Sequence, residues 1–269
     1  MYNRESIKSR DNARLKFARR VRDGKESAYI LVEGSRLSGE ALTSGLSVRS
    51  CFISETFRPS ASLDSILMSR NLESYVVSES LLDSISDTKT PQGIVLIAER
   101  PREKRLDDLF SDPVTASQLP LWIFLNEVNN PSNLGAVVRT AEAAGARGIL
   151  VSKHSADPFS PKALRASMGS AFRVPIVDGV ELKKHLKMIK ENKIRITAVD
   201  KDGGSSYLDV DWLAPRLLIF GSEAEGLHED VLSLADETIK VPMQASVESL
   251  NLAVSSGVIL FEAKRQSEN

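Results

Sequence analysis

The chain has 269 residues, of which 42% are hydrophobic and 26% charged, and this composition excludes intrinsic disorder as its default state. Its single cysteine, Cys51, excludes an intramolecular disulfide framework and a thiolate metal cluster. No apolar run approaches the roughly 20 residues that span a bilayer. The first residues contain no apolar signal segment, so we expect a cytoplasmic protein with no membrane partner.

The N-terminal segment is strongly basic within a chain whose formal net charge is −1. Residues 1–25 contain nine Lys or Arg against three acidic residues, a local net charge of +6. Leu15, Phe17, Ala18 and Val21 predict a narrow apolar stripe on a basic helix. Such a helix suits an RNA backbone, because each neutralised phosphate releases a counterion. A solvated helix face and a basic targeting peptide are the alternatives.

The sequence divides into two parts. Residues 1–103 mix short β-like runs (YILVEG, SCFIS, SYVVS, GIVLIA) with helical stretches and end in the polar linker ERPREKR, which is typical of a small α/β module. Residues 104–269 begin with a loop-like stretch at 111–120. Strands LWIFLNE, GILVS, RVPIV, RITAVD and RLLIFGSE then alternate with helices near 133–145, 161–169 and 181–193. A helix near 228–235, the strand ETIKVPM and a helix over 249–266 complete the chain. This alternation predicts an α/β domain with a parallel sheet and helices on both faces.

Ligands of such sheets bind in the loops that follow the strands, and three of these loops are unusual. The first is NEVNNPSNLGAVVRTA, in which we expect Asn133 to cap the following helix. Arg139 lies in that otherwise apolar helix, where a buried guanidinium needs an anionic partner. A phosphodiester is one such partner. The alternative is a partly exposed Arg139 that pairs with Glu142 or another carboxylate.

The second loop, GSEAEGL, starts at Gly221 directly after the apolar strand RLLIF. It lacks the lysine and hydroxyl of a P-loop, and its two carboxylates repel phosphate. A neutral or cationic ligand such as a sulfonium fits better, while a simple strand-to-helix turn is the alternative.

The third loop, VPMQASVESLN, ends a strand and opens the last helix. Pro242 is natural at the end of a strand because it lacks a backbone donor. We expect Ser246 and Ser249 to cap the helix and Asn251 to lie in its first turn.

Taken together and in this order, NPSNLGAVVRTA, LIFGSEAEGL and VPMQASVESLNLAVSSGVILFE resemble the three motifs of the SpoU (TrmH) family of RNA ribose methyltransferases, within the SPOUT superfamily. PKALRASMGSAFRVPI is similar to the region between those motifs. RLKFARRVRDGKESAYILVEGSRLSGEAL and KTPQGIVLIAERP resemble the RNA-binding N-terminal module of many ribosomal RNA members. Ala245 is a departure, since the third motif often has Gly there.

The resemblance implies a C-terminal trefoil knot, a homodimer, and methylation of a ribose 2′-hydroxyl in structured RNA by S-adenosylmethionine. It implies ribosomal RNA of the large subunit as the substrate. It assigns residues 1–103 to RNA substrate binding and 104–269 to catalysis. It implies a cofactor site at Gly221, Val241 and Leu250, and a reaction site at Asn133, Arg139, Glu223, Ser249 and Asn251.

Two alternatives stay open. The first is a transfer RNA 2′-O-methyltransferase, against which the N-terminal module argues. The second is a catalytically silent RNA-binding assembly factor, against which the intact motifs argue.

Other polar residues give weaker signals. His154, His185 and His228 are too scattered for metal ligation, so no metal cofactor is expected. Cys51 is expected in the core. Lys162, Arg165 and Arg173 would either extend a basic surface toward RNA or be ordinary solvated charges.

Overall fold

The computed structural model describes residues 4–70, 72–102, 104–111 and 118–268. The chain forms two compact units. The first comprises Met1–Arg102 and Phe159–Phe172, and the second comprises Glu103–Pro158 and Arg173–Asn269. The change of unit at residue 102 lies next to the predicted boundary. The segment Phe159–Phe172, which the sequence pattern places in the second part, belongs to the first unit.

The first unit contains a five-stranded mixed sheet in the order β1-β4-β3-β5-β2. The strands are β1 (Arg4–Ile7), β2 (Tyr29–Glu33), β3 (Val48–Ser54), β4 (Ser74–Val77) and β5 (Ile94–Glu99). The helices are α1 (Ala13–Arg22), α2 (Ser35–Thr43), α3 (Ala61–Ser69) and α4 (Glu79–Asp83). Strands β1, β4 and β3 run parallel, and β5 pairs antiparallel with both β3 and β2. The four β-like runs of the sequence are all strands.

Helix α1 is the predicted basic helix. The side chain of Asn12 caps it by accepting a hydrogen bond from the Arg14 amide. Its residues Leu15, Ala18 and Val21 are buried, as the stripe predicted. Phe17 is only half-buried.

The segment Phe159–Phe172 contains helix α7 (Pro161–Ser167), which packs against β2. Arg165 explains this placement, because its guanidinium donates to Asp87 at 2.7 Å and lies 3.8 Å from the buried carboxylate of Glu33. Burial of Ala163 and Leu164 adds an apolar contribution.

The second unit contains a seven-stranded parallel sheet in the order β10-β12-β9-β11-β6-β7-β8. The strands are β6 (Leu121–Leu125), β7 (Gly148–Ser152), β8 (Ile176–Val180), β9 (Arg195–Val199), β10 (Ser205–Ser206), β11 (Arg216–Phe220) and β12 (Glu237–Lys240). Every pairing is parallel, as predicted. Strand β8 begins three residues later than the run RVPIV suggested. Pro175 explains the shift, because it has no amide hydrogen to donate to the ladder.

The helices of this unit are α5 (Leu106–Ser111), α6 (Pro131–Ala144), α8 (Leu182–Glu191), α9 (Glu229–Leu232) and α10 (Leu252–Ser267). Helices α5, α8 and α9 pack on one face of the sheet through a core that contains Trp122, Phe124 and Leu217. Helix α6 contacts β7 and α10 on the opposite face. Of the predicted loop at 111–120, residues 112–117 lie outside the described residues. No helix in the described part of the chain is long and apolar enough to cross a membrane.

Candidate active site

The three unusual loops follow β6, β11 and β12, so they meet at the carboxyl edge of the parallel sheet. Strands β6 and β11 are neighbours, and the amide of Asn126 donates to the carbonyl of Phe220 at 2.8 Å just beyond their ends. This is the edge where parallel α/β sheets bind ligands.

In the first loop, the cap of α6 differs from the prediction. Asn130, not Asn133, is the N-cap, and its side chain accepts a hydrogen bond from the Ser132 amide at 3.0 Å. Pro131 takes the first helical position, where its missing amide hydrogen is no loss. Asn133 therefore lies inside the first turn, and its side chain is available for other contacts.

The second loop is a closed turn held by two backbone bonds between Ser222 and Gly226, of 3.0 and 3.1 Å. Gly226 has a φ of 69°, a conformation that favours glycine. Gly221 has a different role, because a Cβ there would overlap the carbonyl group of Gly226. Both glycines are thus required by the shape of the turn.

In the third loop, the predicted caps are wrong. Asn251 is the N-cap of α10, and its Oδ1 accepts a hydrogen bond from the Ala253 amide at 3.0 Å. The helix begins at Leu252, so Ser246 and Ser249 precede it as exposed loop residues. Asn251 provides the side-chain cap of α10, so neither serine caps this helix.

Three predicted reaction-site residues, one from each loop, form a hydrogen-bonded chain. The Nδ2 of Asn133 donates to Oε1 of Glu223 at 2.9 Å. The Nδ2 of Asn251 donates to Oδ1 of Asn133 at 3.3 Å. Because Asn251 also caps α10, this chain fixes the start of the last helix relative to the other two loops.

Arg139 lies apart from this chain. It is exposed on α6, as the alternative of a partly exposed arginine expected. Among the described residues it forms no hydrogen bond or ion pair. Glu142, the alternative partner, instead accepts from Arg173 through both oxygens, at 2.5 and 3.0 Å. The guanidinium of Arg139 is therefore accessible to an anion from outside the chain.

A cavity of about 300 Å³ lies beside these loops. Its walls include the three predicted cofactor residues Gly221, Val241 and Leu250 and the two predicted reaction residues Glu223 and Ser249. Apolar wall is added by Phe220, Met243 and Leu252. Asn133, Arg139 and Asn251 are outside its lining.

The charge of the cavity wall is mainly negative, since it contains the carboxylates of Asp200, Glu223, Glu225 and Glu248 and the ammonium of Lys201. Asp200 and Lys201 were not predicted from the sequence. They follow β9 at the same carboxyl edge, so the rule that located the other loops would have found them. This wall favours a cationic ligand over an anionic one.

The remaining candidates are placed as follows. His228 is exposed, and its Nε2 lies 3.2 Å from Oε2 of Glu225. Cys51 is buried in β3, as predicted. Arg165 and Arg173 are each paired with carboxylates, which leaves Lys162 as the exposed cation of that group. In the described part of the chain, no three His, Cys, Asp or Glu side chains are grouped so as to hold a metal ion.

Comparison with known proteins places both units in described families. The SpoU rRNA Methylase family model matches residues 120–261, and the MRM3-like substrate binding domain model matches residues 12–96. A Bacillus subtilis protein named 23S rRNA (guanosine(2553)-2′-O)-methyltransferase RlmP is 27% identical, over 97% of this chain and 99% of that protein. The Streptomyces viridochromogenes 23S rRNA (uridine(2479)-2′-O)-methyltransferase is 30% identical, over 88% of this chain and 82% of that protein.

The crystal structure of the SpoU methyltransferase AviRb from Streptomyces viridochromogenes, in complex with S-adenosylmethionine, superposes with a TM-score of 0.85. It is 28% identical, and the match covers 96% of this chain and 99% of that one. The family model spans more than half of the residues, and both units of the fold are matched. The chain therefore belongs to the SpoU rRNA methylase family.

Proposed function

We propose that this protein transfers a methyl group from S-adenosylmethionine to a ribose 2′-hydroxyl of RNA, with large-subunit ribosomal RNA as its substrate. The observation that carries the proposal is the hydrogen-bonded chain Glu223–Asn133–Asn251 beside an acidic cavity at the carboxyl edge of the sheet. Two relatives named as 23S rRNA 2′-O-methyltransferases support the choice of substrate.

The cavity suits this cofactor in charge and in lining. Its carboxylates attract a sulfonium, and Val241 and Leu250 offer apolar wall for an adenine ring. Gly221 lines the cavity and has no side chain, so a ligand can approach its backbone closely. When bound, S-adenosylmethionine supplies an electrophilic methyl group to a nucleophile held in line with it.

The side chains around the cavity mainly provide orientation. Asn133 is held by Glu223, so its amide is oriented before the ribose arrives. Ser249 lines the cavity and offers a hydroxyl to the same ribose. Glu223 orients Asn133, since its carboxylate is already engaged there.

We assign to Arg139 the binding of a phosphate of the RNA substrate. A guanidinium is not deprotonated under ordinary conditions, so it does not serve as the base. Arg139 instead binds the phosphate next to the target ribose and stabilises the developing alkoxide. The proton of the 2′-hydroxyl is then transferred to that phosphate or to water.

We also propose that the C-terminal segment forms a trefoil knot. The strand order supports it, because β12 lies between β9 and β10. Between β9 and β11 the chain passes to β10 on the far side of β12, which is the connection that a loop around β12 requires. A Cβ at Gly203 would overlap the carbonyl of Ile239, so this loop passes directly against β12. Such threading is rare among folds.

The working form proposed is a homodimer. Val254, Val258 and Phe261 are exposed at successive turns of α10 and form an apolar stripe. Packing against the same stripe of a second protomer would remove these three side chains from water. In this arrangement, residues 1–103 bind the RNA and residues 104–269 carry out the transfer.

The test is methyl transfer from radiolabelled S-adenosylmethionine to ribosomal RNA and, in parallel, to transfer RNA. We expect label at a 2′-position of ribosomal RNA, detected as resistance to alkaline cleavage. Arg139→Ala is expected to abolish the label, whereas Arg105→Ala, which removes an exposed arginine of the same unit, is expected to retain it.

The alternatives give different results in this assay. Label confined to transfer RNA would contradict the proposed substrate while preserving the reaction. Binding of cofactor and RNA with no transfer to either RNA would contradict the proposed activity.

A further inference from the structure

A second cavity lies in the first unit, at the edge of its sheet where α1, β3 and β4 begin. Its volume is about 330 Å³, within the range of cavities that hold small ligands, about 300–1,000 Å³. It is lined by Ala13, Arg14, Phe17, Arg49, Ser50, Glu73 and Tyr75. All of these residues fall in the segment that matches the MRM3-like substrate binding domain.

Two guanidinium groups of this cavity are stacked on aromatic rings. Arg14 lies over Tyr75, 4.7 Å from the ring centroid. Arg49 lies over Phe17 at 4.7 Å and over Tyr29 at 5.1 Å. The Nη1 of Arg49 also donates to the Tyr29 hydroxyl at 2.6 Å, which fixes the plane of that guanidinium. These planar groups are therefore held in place before any ligand binds.

The cavity also contains an ionised hydrogen-bond acceptor. Glu73 accepts from the Tyr75 hydroxyl and from Arg14, at 3.2 Å in the second case. The hydrogen bond from Tyr75, followed by that from Arg14, holds the pKa of Glu73 below its usual value. Burial, followed by the hydrogen bond to Glu73, raises the pKa of Tyr75 to about 12, so its phenol stays protonated.

The surroundings of the cavity are basic. Residues 8–25 contain eight Lys or Arg against the two acidic residues Asp11 and Asp23. Arg22 pairs with Asp23 at 2.9 Å, whereas Arg19 donates only to the carbonyl of Arg10 and to the Ser84 hydroxyl, so no carboxylate among the described residues compensates its charge. Helix α1 thus presents cations next to a cavity of stacked planar groups.

From this arrangement we propose that the cavity at α1, β3 and β4 binds one unpaired nucleobase of the substrate RNA, which stacks on the guanidinium of Arg49. The proposal rests on the RNA substrate of the proposed function and names the part of that substrate which the first unit recognises. Unpaired bases stack on aromatic rings and on guanidinium planes in single-stranded RNA recognition. The cations of α1 neutralise the flanking phosphates.

The chemistry favours a base with exposed N–H groups. Glu73 accepts hydrogen bonds but cannot donate them, so it faces an amino or imino group of the base. A purine provides the larger stacking surface. A paired duplex cannot offer a base to this cavity, because its bases are stacked within the helix.

The experiment uses the full chain and a short RNA hairpin with an unpaired purine loop that contains 2-aminopurine, together with the fully paired duplex of the same stem. Arg49→Lys retains the charge but removes the planar group, because arginine and lysine are not equivalent at stacked sites. Arg20→Lys is the matched control, since Arg20 is an exposed arginine of α1 that pairs with Glu26 at 2.8 Å outside the cavity.

We expect the fluorescence of 2-aminopurine to be quenched when the wild-type protein binds the hairpin. Arg49→Lys is expected to abolish the quenching and to weaken hairpin binding at least about fivefold, as removal of a base stack does. Arg20→Lys is expected to change hairpin binding by less than about twofold. Duplex binding is expected to be similar for all three proteins.

Hairpin binding without quenching by the wild-type protein, or equal hairpin binding by the two lysine variants, would overturn the proposal. A lower melting temperature of Arg49→Lys with unchanged binding would show that the cluster only stabilises the sheet edge. Methyl transfer to ribosomal RNA is measured separately. If it succeeds while the hairpin results fail, the cavity proposal is wrong and the proposed function stands.

Discussion

Asn133 and Glu223 are 90 residues apart in the sequence, and a hydrogen bond of 2.9 Å joins Nδ2 of Asn133 to Oε1 of Glu223. An ionised carboxylate can only accept, so this bond determines which end of the Asn133 amide faces Glu223. The Oδ1 of Asn133 then accepts from Asn251, whose own Oδ1 is occupied by the cap of α10. One consistent direction of hydrogen bonding therefore runs through all three loops.

Replacing Asn133 by Ala is expected to lower kcat on the order of 100-fold, because a misoriented substrate loses that much rate. Asn133 lies outside the cofactor cavity, so the Kd of S-adenosylmethionine is expected to change by less than about twofold, given that the ligand's own contacts remain. The measurements are steady-state methyl transfer and calorimetric titration of the cofactor.

Glu223→Gln gives an independent check of the same hydrogen bond. If Glu223 acts by orienting Asn133, the double variant Asn133→Ala/Glu223→Gln loses little more rate than Asn133→Ala alone. Fully additive losses would contradict the positioning role of Glu223.

The sequence predicted the parallel sheet and the location of the loops, because apolar runs and loop composition are local properties. It did not predict which Asn caps each helix. Asn130 and Asn133 both suit a cap, and Pro131 decides between them by fixing the first helical turn. Nor could it predict that Phe159–Phe172 packs with the first unit, since Arg165 finds Glu33 and Asp87 only in the folded chain.

Gly221→Ala is expected to raise the Kd of S-adenosylmethionine at least about tenfold, because the new methyl group overlaps Gly226 and forces the turn open, as overpacking does. Isothermal titration of the cofactor measures this change. Gly39→Ala is the control. Gly39 lies in helix α2 with no atom within 4 Å of an added Cβ, so this variant gains about 0.5–1 kcal/mol of unfolding free energy. Unchanged cofactor affinity in Gly221→Ala would show that the turn does not contact the ligand.

The apolar stripe of α10 predicts the behaviour of Val258→Glu. A charge at the centre of the proposed dimer interface is expected to convert the dimer to a monomer, because an unpaired buried carboxylate is strongly unfavourable. Light scattering during size-exclusion chromatography measures the mass. Leu208→Glu places the same charge on an exposed apolar residue outside the stripe and is expected to leave the mass unchanged. A wild-type protein that elutes as a monomer at every concentration would contradict the dimer.

Glu262 of α10 predicts how stability depends on pH. Hydrogen bonds from Arg265, then from Gln266, lower the pKa of this carboxyl group from 4.5 to about 2. Gln266 also links α10 to the segment before β11, because it donates to the carbonyl of Val210 and accepts from the amide of Trp212. A carboxyl group whose pKa is lower in the folded state stabilises that state above its unfolded pKa. This contribution is complete above pH 4.5 and is lost as the pH falls toward 2.

Glu262→Gln removes the titrating group while preserving the shape of the side chain. We expect the variant to unfold at lower denaturant concentration than the wild type at pH 6, by at most about 1 kcal/mol, because Arg265 is largely exposed and water screens its charge. The difference between the two proteins is expected to shrink as the pH is lowered below 4.5. Urea titrations at a series of pH values measure it. A constant difference down to pH 2.5 would mean that Glu262 keeps an ordinary pKa in the folded chain.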